Sequence, residues 1–176
     1  MSDILVALGA NLPGTEGGPA DTLRAALRVM PGMGIKVVRC APFYETPALA
    51  SYEQPDYVNS VAVVEAALPP VELLAMLHRI EGQFGRIRRG RWAPRVLDLD
   101  LIDYRGLVTL GRSGMSGVAG MPLALPHPGV GERGFVLVPL RDVVPDWRHP
   151  VTGEGVNGLI ARLPAAELAE IRRLKD

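Results

Sequence analysis

Asp98 and Asp100 stand two residues apart in the run Val96-Leu97-Asp98-Leu99-Asp100-Leu101, where acidic and apolar residues alternate. On a β-strand that spacing sends both carboxylates to one face and the leucines to the other. With no neutralising residue in the run, the pair requires a cation, and hard carboxylate oxygens beside phosphate suit magnesium. A D-x-D pair is short, and two surface aspartates on an edge strand have the same spelling. Just upstream lie Arg86, Arg88, Arg89, Arg91 and Arg95, interspersed with Gly85, Gly90 and Pro94. Guanidinium forks bind phosphate oxygens in pairs, and a loop can close them over a charged substrate. Carboxylates and arginines together can neutralise a triphosphate through metal and guanidinium at once. The same arginines also fit a solvated charge run or, with Trp92 stacking on a base, an RNA-binding patch.

Other phosphate-handling designs are absent from the sequence. There is no G-x-x-x-x-G-K-[ST] loop and no protein-kinase signature set. Gly9-Ala10-Asn11 lacks the glycine spacing of a dinucleotide fingerprint and reads as a strand-ending turn. His78, His127 and His149 form no zinc pattern. The single cysteine, Cys40, has no partner for an internal disulfide, and its expected role is small core filler in a reducing compartment. Formal net charge is zero over 176 residues, so no global field draws the chain to nucleic acid or an anionic membrane. Met1 to Gly9 lacks the basic flank and apolar core of a signal peptide, and no apolar run approaches a bilayer span. The expectation is one cytoplasmic domain, residues 1–176, large enough to bury a substantial core.

The elements that must position these residues follow from periodicity. Ile4 to Leu8 is a compact apolar run expected to be a central strand. After Pro19, Leu23, Ala26, Leu27 and Met30 recur at helical spacing, until Pro31-Gly32 and Gly34 stop the helix. Ile35 to Tyr44 leans towards a second strand, and Glu45 to Pro55, broken by Pro47, Ser51 and Pro55, towards a surface loop. Tyr57 to Val64 reads as a third strand. Pro69-Pro70 opens a second helix striped by Leu73, Leu74, Leu77, Ile80 and Phe84, ending near Gly85. Val96 to Tyr104 is β-like again. The order β-α-β-β-α-β is the split βαβ arrangement of an α+β, ferredoxin-like fold: a mainly antiparallel sheet with helices on one face and the other available for substrates. Gly106 to Gly120 is rich in Gly and Ser and is expected to be a loop. Gly134 to Leu140 and Val156 to Leu163 look ordered, and the last ten residues have no clear pattern.

The segment Arg91-Trp92-Ala93-Pro94-Arg95-Val96-Leu97-Asp98-Leu99-Asp100-Leu101 resembles the signature of the 6-hydroxymethyl-7,8-dihydropterin pyrophosphokinases of folate biosynthesis. The similarity extends to Gly9-Ala10-Asn11-Leu12, Phe43-Tyr44-Glu45-Thr46-Pro47, Gln54-Pro55-Asp56-Tyr57-Val58-Asn59, Gly85-Arg86-Ile87-Arg88, Pro126-His127-Pro128 and Glu132-Arg133-Gly134-Phe135, in the family's order. The resemblance implies a ferredoxin-like fold and transfer of pyrophosphate from ATP to the hydroxymethyl group of the reduced pterin, releasing AMP. It implies a monomer binding ATP, the pterin and two magnesium ions, and neither nucleic acid nor membrane. By similarity, Asp98 and Asp100 would hold the ions, and Arg86 and Arg95 would be the catalytic arginines. Arg88, Arg95, Arg133 and His127 would meet the ATP phosphates, with His78, Glu81, Leu101 and Trp92 also on the nucleotide side. His78 stands where the family often has glutamine. Thr46, Pro47, Leu49, Tyr57, Asn59, Trp92 and Phe135 would form the pterin site, with Tyr57 and Phe135 about the flat bicycle and Asn59 reading its amide-like edge.

Overall fold

The computed structural model describes residues 3–48, 53–86, 94–109 and 123–175. The sheet is built around β1 (Ile4–Ala10), which pairs antiparallel with β4 (Tyr57–Glu65) on one side and β5 (Asp98–Tyr104) on the other. β1 runs two residues past the apolar stretch, so Gly9 and Ala10 are paired with Asn59 and Val58 and the turn starts only after them. The expected single second strand is two pieces, β2 (Lys36–Cys40) and β3 (Tyr44–Thr46), both antiparallel to β4. Pro42 between them has no N–H to give a ladder. The Ser60 hydroxyl instead donates to the Ala41 carbonyl at 2.9 Å, which holds the interruption. The Thr46 end of the expected loop thus belongs to a strand.

Helices α1 (Pro19–Val29) and α2 (Pro70–Gln83) both carry proline at their start, where a missing N–H costs nothing. Leu23 and Ala26 from the first, Met30 just past its end, and Leu73, Leu77 and Ile80 from the second meet Ile4, Val6, Leu8, Ala62, Leu99 and Leu101 in one core. The other face is not left open. Helices α3 (Gly134–Val143) and α4 (Val156–Ala161) lay Val136, Leu137, Leu140, Val156 and Leu159 against Leu5, Val61, Val63 and Ile102. Helices on both faces correct the one-sided expectation, because α3 is itself apolar enough to need a sheet to bury it. Short helix α5 (Ala165–Glu170) and strand β6 (Arg172–Arg173) follow, and β6 pairs with β3 at the sheet edge. The sheet order is β5-β1-β4-β3-β6, with β2 also on β4. Among the described residues no helix is long and apolar enough to cross a membrane.

One irregularity sets what β5 can do. Leu5 pairs with Asp103 but Val6 pairs with Leu101, so Ile102 is an extra residue. Before this bulge the strand alternates, with Leu99 and Leu101 in the α1–α2 core and Asp98 and Asp100 on the α3 side. At the bulge Ile102 joins the α3–α4 core. Asp103, only 4% exposed, accepts the Trp147 indole N–H at 2.9 Å and the Gly106 backbone N–H at 2.8 Å. Asp103→Ala strands the buried Trp147 indole N–H, while the N–H of exposed Gly106 can turn to water. The expected loss is about 2–4 kcal/mol of unfolding free energy in urea, with activity per folded molecule retained. An unchanged midpoint would show that the two contacts contribute nothing.

Candidate functional site

The α3 side of the sheet is divided lengthwise. Where β1 ends and β4 and β5 begin, the helices give way to a cavity of about 490 Å³. Gly9, Tyr57, Asn59, Asp98 and Asp100 line it from the sheet, Thr46 and Pro47 from the end of β3, and Arg133 and Phe135 from the start of α3. His78, Arg86, Arg95 and His127 also line it. Gly9 leaves Asn59 its room, for a Cβ there would lie a tight 3.0 Å from Asn59 Oδ1. Asn59 is in turn fixed by donating from Nδ2 to Thr46 Oγ1 at 2.9 Å, across the β3–β4 pair.

The arginines are held by their backbones. α2 ends in a Schellman turn: Gly85 takes φ +78°, its N–H reaches the Gly82 carbonyl at 3.1 Å, and the Arg86 N–H reaches the Glu81 carbonyl at 3.1 Å. That reversal aims Arg86 back at the strand, where its guanidinium pairs with both Glu81 and Asp98. Glu81 is 1% exposed and also accepts the Leu99 backbone N–H at 2.8 Å. Arg95 is placed by Asn11, whose side-chain oxygen accepts the Arg95 N–H at 2.7 Å while the Asn11 N–H donates to the Arg95 carbonyl at 2.9 Å. The Asn11 amide also donates to Gln54 Oε1 at 3.2 Å and the Pro55 carbonyl at 3.1 Å. The Arg95 guanidinium then pairs with Asp98.

Asp98 is therefore flanked by two cations, which corrects the expectation that nothing on its face neutralises the carboxylates. The strand alone supplies no counter-charge; the turn after α2 and the segment before β5 bring it in. Arg95 is held charged, its burial outweighed by Asp98, Tyr57 and Asp100. The Asp100 carboxyl is pushed up to about 6 by burial and by the Asp98 charge, against the pull of Arg95, Arg133 and Arg86. Two carboxylates on one strand face are the usual protein share of a magnesium site, the remaining ligands being water and substrate phosphate. Among the described residues there is no group of three or more potential metal ligands. The donor set thus fits a metal that arrives with phosphates better than an all-protein cage.

His127 and Arg133 line the same cavity. The His127 Nδ1 accepts the Gly129 N–H at 3.1 Å, which leaves Nε2 as the protonated nitrogen of the neutral ring. The Arg133 side chain lies over Gly129, where a Cβ would come within 2.4 Å of its Nε. Its guanidinium stands 5.9 Å from the centre of the Phe135 ring.

Most of the expected site residues converge on the cavity: Thr46, Pro47, Tyr57, Asn59, His78, Arg86, Arg95, Asp98, Asp100, His127, Arg133 and Phe135. Two do not line it. Glu81 is buried behind Arg86, and Leu101 is 3% exposed in the α1–α2 core. Leu49, Arg88 and Trp92 lie outside the described residues. The residue types alone pointed past Asn11, taken for part of a turn, though a buried asparagine bonded by both ends of its amide is what aligns Arg95. The available signal was an amide side chain directly after a fully apolar strand, where a polar group must find internal partners.

The sequence model of the family described as 7,8-dihydro-6-hydroxymethylpterin-pyrophosphokinase (HPPK) matches residues 5–145. A Synechocystis protein named 2-amino-4-hydroxy-6-hydroxymethyldihydropteridine pyrophosphokinase is 39% identical over 161 residues, covering 90% of this chain and 75% of that protein. A Haemophilus influenzae protein of the same name is 37% identical over 151 residues, covering 85% and 86%. Among solved structures, wild-type HPPK-DHPS of Plasmodium falciparum has a similar fold, with a TM-score of 0.65 at 13% identity over 92% of this chain. This chain spans 45% of that one.

Burial and the Arg133 charge lower the His127 pKa from 6.5 to about 4, with Asp98 opposing them in part. Between those values the unfolded chain binds a proton that the folded chain refuses. Stability therefore falls as pH drops from about 6.5 to about 4 and levels off below. The raised Asp100 works in the opposite sense but is common to wild type and a His127→Gln variant. Urea unfolding across that range should show the wild type losing on the order of 1–3 kcal/mol relative to the variant. Parallel curves would mean that His127 titrates normally.

Proposed function

Because the chain belongs to the 7,8-dihydro-6-hydroxymethylpterin-pyrophosphokinase family and so transfers pyrophosphate in folate biosynthesis, we propose that ATP and the pterin meet in the cavity beside Asp98 and Asp100. In that reaction the hydroxymethyl oxygen of 6-hydroxymethyl-7,8-dihydropterin bonds to the β-phosphorus of ATP and gives up its proton to solvent, the bond from that phosphorus to the α-phosphate oxygen breaks, and AMP leaves with the electron pair. One observation carries the assignment. Asp98, Asp100, Arg86, Arg95, Arg133 and His127 line a single cavity together with Thr46, Tyr57, Asn59 and Phe135, with the aspartates on β5 and Tyr57 and Asn59 on β4, at opposite sides of β1. The charged groups suit a triphosphate and the flat, hydrogen-bonding ones a bicyclic heterocycle.

Asp98 and Asp100 would hold two magnesium ions, which supply charge neutralisation across the ATP phosphates. Arg86 and Arg95, paired with Asp98, exchange that carboxylate for phosphate oxygens as the nucleotide enters, and stabilise charge on the moving group. Arg133 and the neutral His127 donate to further phosphate oxygens, joined by Arg88. His78 borders the nucleoside, while Glu81 acts through Arg86 and Leu101 from beneath. Tyr57 and Phe135 stack on the pterin, Asn59, Thr46, Pro47 and Leu49 read its edge, and Trp92 closes over both substrates. The strand order, with β1 between β4 and β5 and both α1 and α2 crossing the same face, supports a ferredoxin-like core carrying an added α3–α4 layer. A monomeric, cytoplasmic enzyme belongs to the same reading.

The purified protein with ATP, magnesium and the hydroxymethylpterin should release AMP and a diphosphorylated pterin, and omission of any one should stop it. ADP as the product would overturn the transfer assigned here. Asp98→Ala and Asp100→Ala should each lower kcat at least about 100-fold in a folded protein, the loss of a charge-stabilising group at the reacting centre. Near-normal turnover in either would move the metal site elsewhere.

A further inference from the structure

The chain beyond the family match ends in a segment that the proposed chemistry does not use. Residues 163–174 leave the α3–α4 core, where Leu163 and Leu168 pack, and cross the sheet edge to the α1–α2 core, where Leu174 packs. On the way the segment fastens to two walls of the cavity. The Glu167 carboxylate accepts the Gly134 N–H at 2.9 Å, satisfying a free donor in the first turn of α3. This seat is closely built. A Cβ at Gly134 would stand 2.7 Å from Glu167 Oε1 and 2.8 Å from Ile171 Cδ1. Gly134 lies between Arg133 and Phe135, which both reach into the cavity.

Past Ile171, β6 pairs Arg172 and Arg173 with Glu45 and Tyr44, and the Leu174 N–H donates to the Phe43 carbonyl at 2.8 Å. The strand so held, β3, ends at Thr46, next to Pro47 in the opposite wall. Arg172 adds ion pairs to Glu45 at 3.3 Å and Asp56 at 3.5 Å. A third tie closes the figure, for the Tyr44 hydroxyl donates to Asp142 near the far end of α3. β3, α3 and the terminal segment thus form a closed loop of contacts beside the cavity.

We propose that residues 163–174 are a clasp fixing the distance between the Phe135 and Thr46 walls, with Glu167 as its positioning residue for the pterin. The proposal rests on the pterin assignment above for its substrate, but not for its mechanics. A floppy wall must be ordered at each binding event, and that cost falls on the substrate lying between the walls. Glu167 touches neither substrate and acts through the Gly134 amide.

The test combines hydrogen–deuterium exchange with steady-state kinetics on Glu167→Ala, Glu167→Gln and Leu174→Ala. Each alanine variant should speed exchange in both residues 43–48 and residues 133–137, including the wall it does not touch. The pterin KM should rise about fivefold in Glu167→Ala, the size of a lost helix cap, with a smaller rise in the ATP KM through the neighbouring Arg133 and kcat near wild type. Glu167→Gln retains an acceptor and should recover most of the affinity. Faster exchange confined to the wall next to the substitution overturns the clasp, as does an equal rise in both KM values or none. If Glu167→Ala does not fold, Leu174→Ala and Glu167→Gln decide by the same exchange pattern. If the wild type releases no AMP, the assigned reaction fails, and exchange alone still judges whether the two walls are coupled.

Discussion

Asp98 lies between two guanidinium groups, one of which also pairs with the buried Glu81. Charges this far from water persist only when paired and hydrogen-bonded, so each member constrains the elements that carry it. Glu81 ties α2 to β5 through the Leu99 amide, and the Schellman turn returns Arg86 to the strand. Asn11, at the end of β1, fixes the backbone of Arg95. Three elements remote in sequence are thereby registered around one carboxylate. The arrangement also suits the chemistry, since cations paired with a weakly hydrated carboxylate can transfer to a better anion without large movement of the backbone.

Much of this was legible in the sequence because the signals are local. Alternating leucine and aspartate fixed the faces of β5, and proline starts with apolar stripes fixed α1 and α2. The family resemblance then joined blocks of sequence that periodicity could not connect. The remainder depended on contacts between distant segments. One apolar stretch became β2 and β3 because Pro42 cannot donate to a ladder, and the length of the run says nothing of that. Helix α3 could be seen as ordered, but not that it would cover half of the second face. Glu81 looks like any helical glutamate until the turn at Gly85 brings Arg86 back to it.

The end of the chain is a sharper case. Helix α5 has six residues and β6 two, too short for either period to register. Their stability comes from what they touch, namely Gly134, Phe43 and the two cores. Gly134 itself read only as part of a family block. Its lack of a side chain is explained by the Glu167 and Ile171 atoms packed where a Cβ would be.

The extra residue in β5 separates two tasks that share one strand. Ahead of Ile102 the alternation points carboxylates into the cavity; behind it the parity is reset, so that Asp103 can anchor Trp147 on that same side. Removing Ile102 would leave Asp98, Asp100 and Asp103 on the side they now face, Asp103 still opposite Leu5, and would cost only the Ile102 side chain its seat in the α3–α4 core. Removing one between Asp98 and Leu101 would instead turn an aspartate under the helices. Length changes in this strand thus have consequences that depend on whether they fall at the bulge or ahead of it. The bulge serves as a phase boundary, insulating the geometry of the cavity end from the packing demands of the structural end.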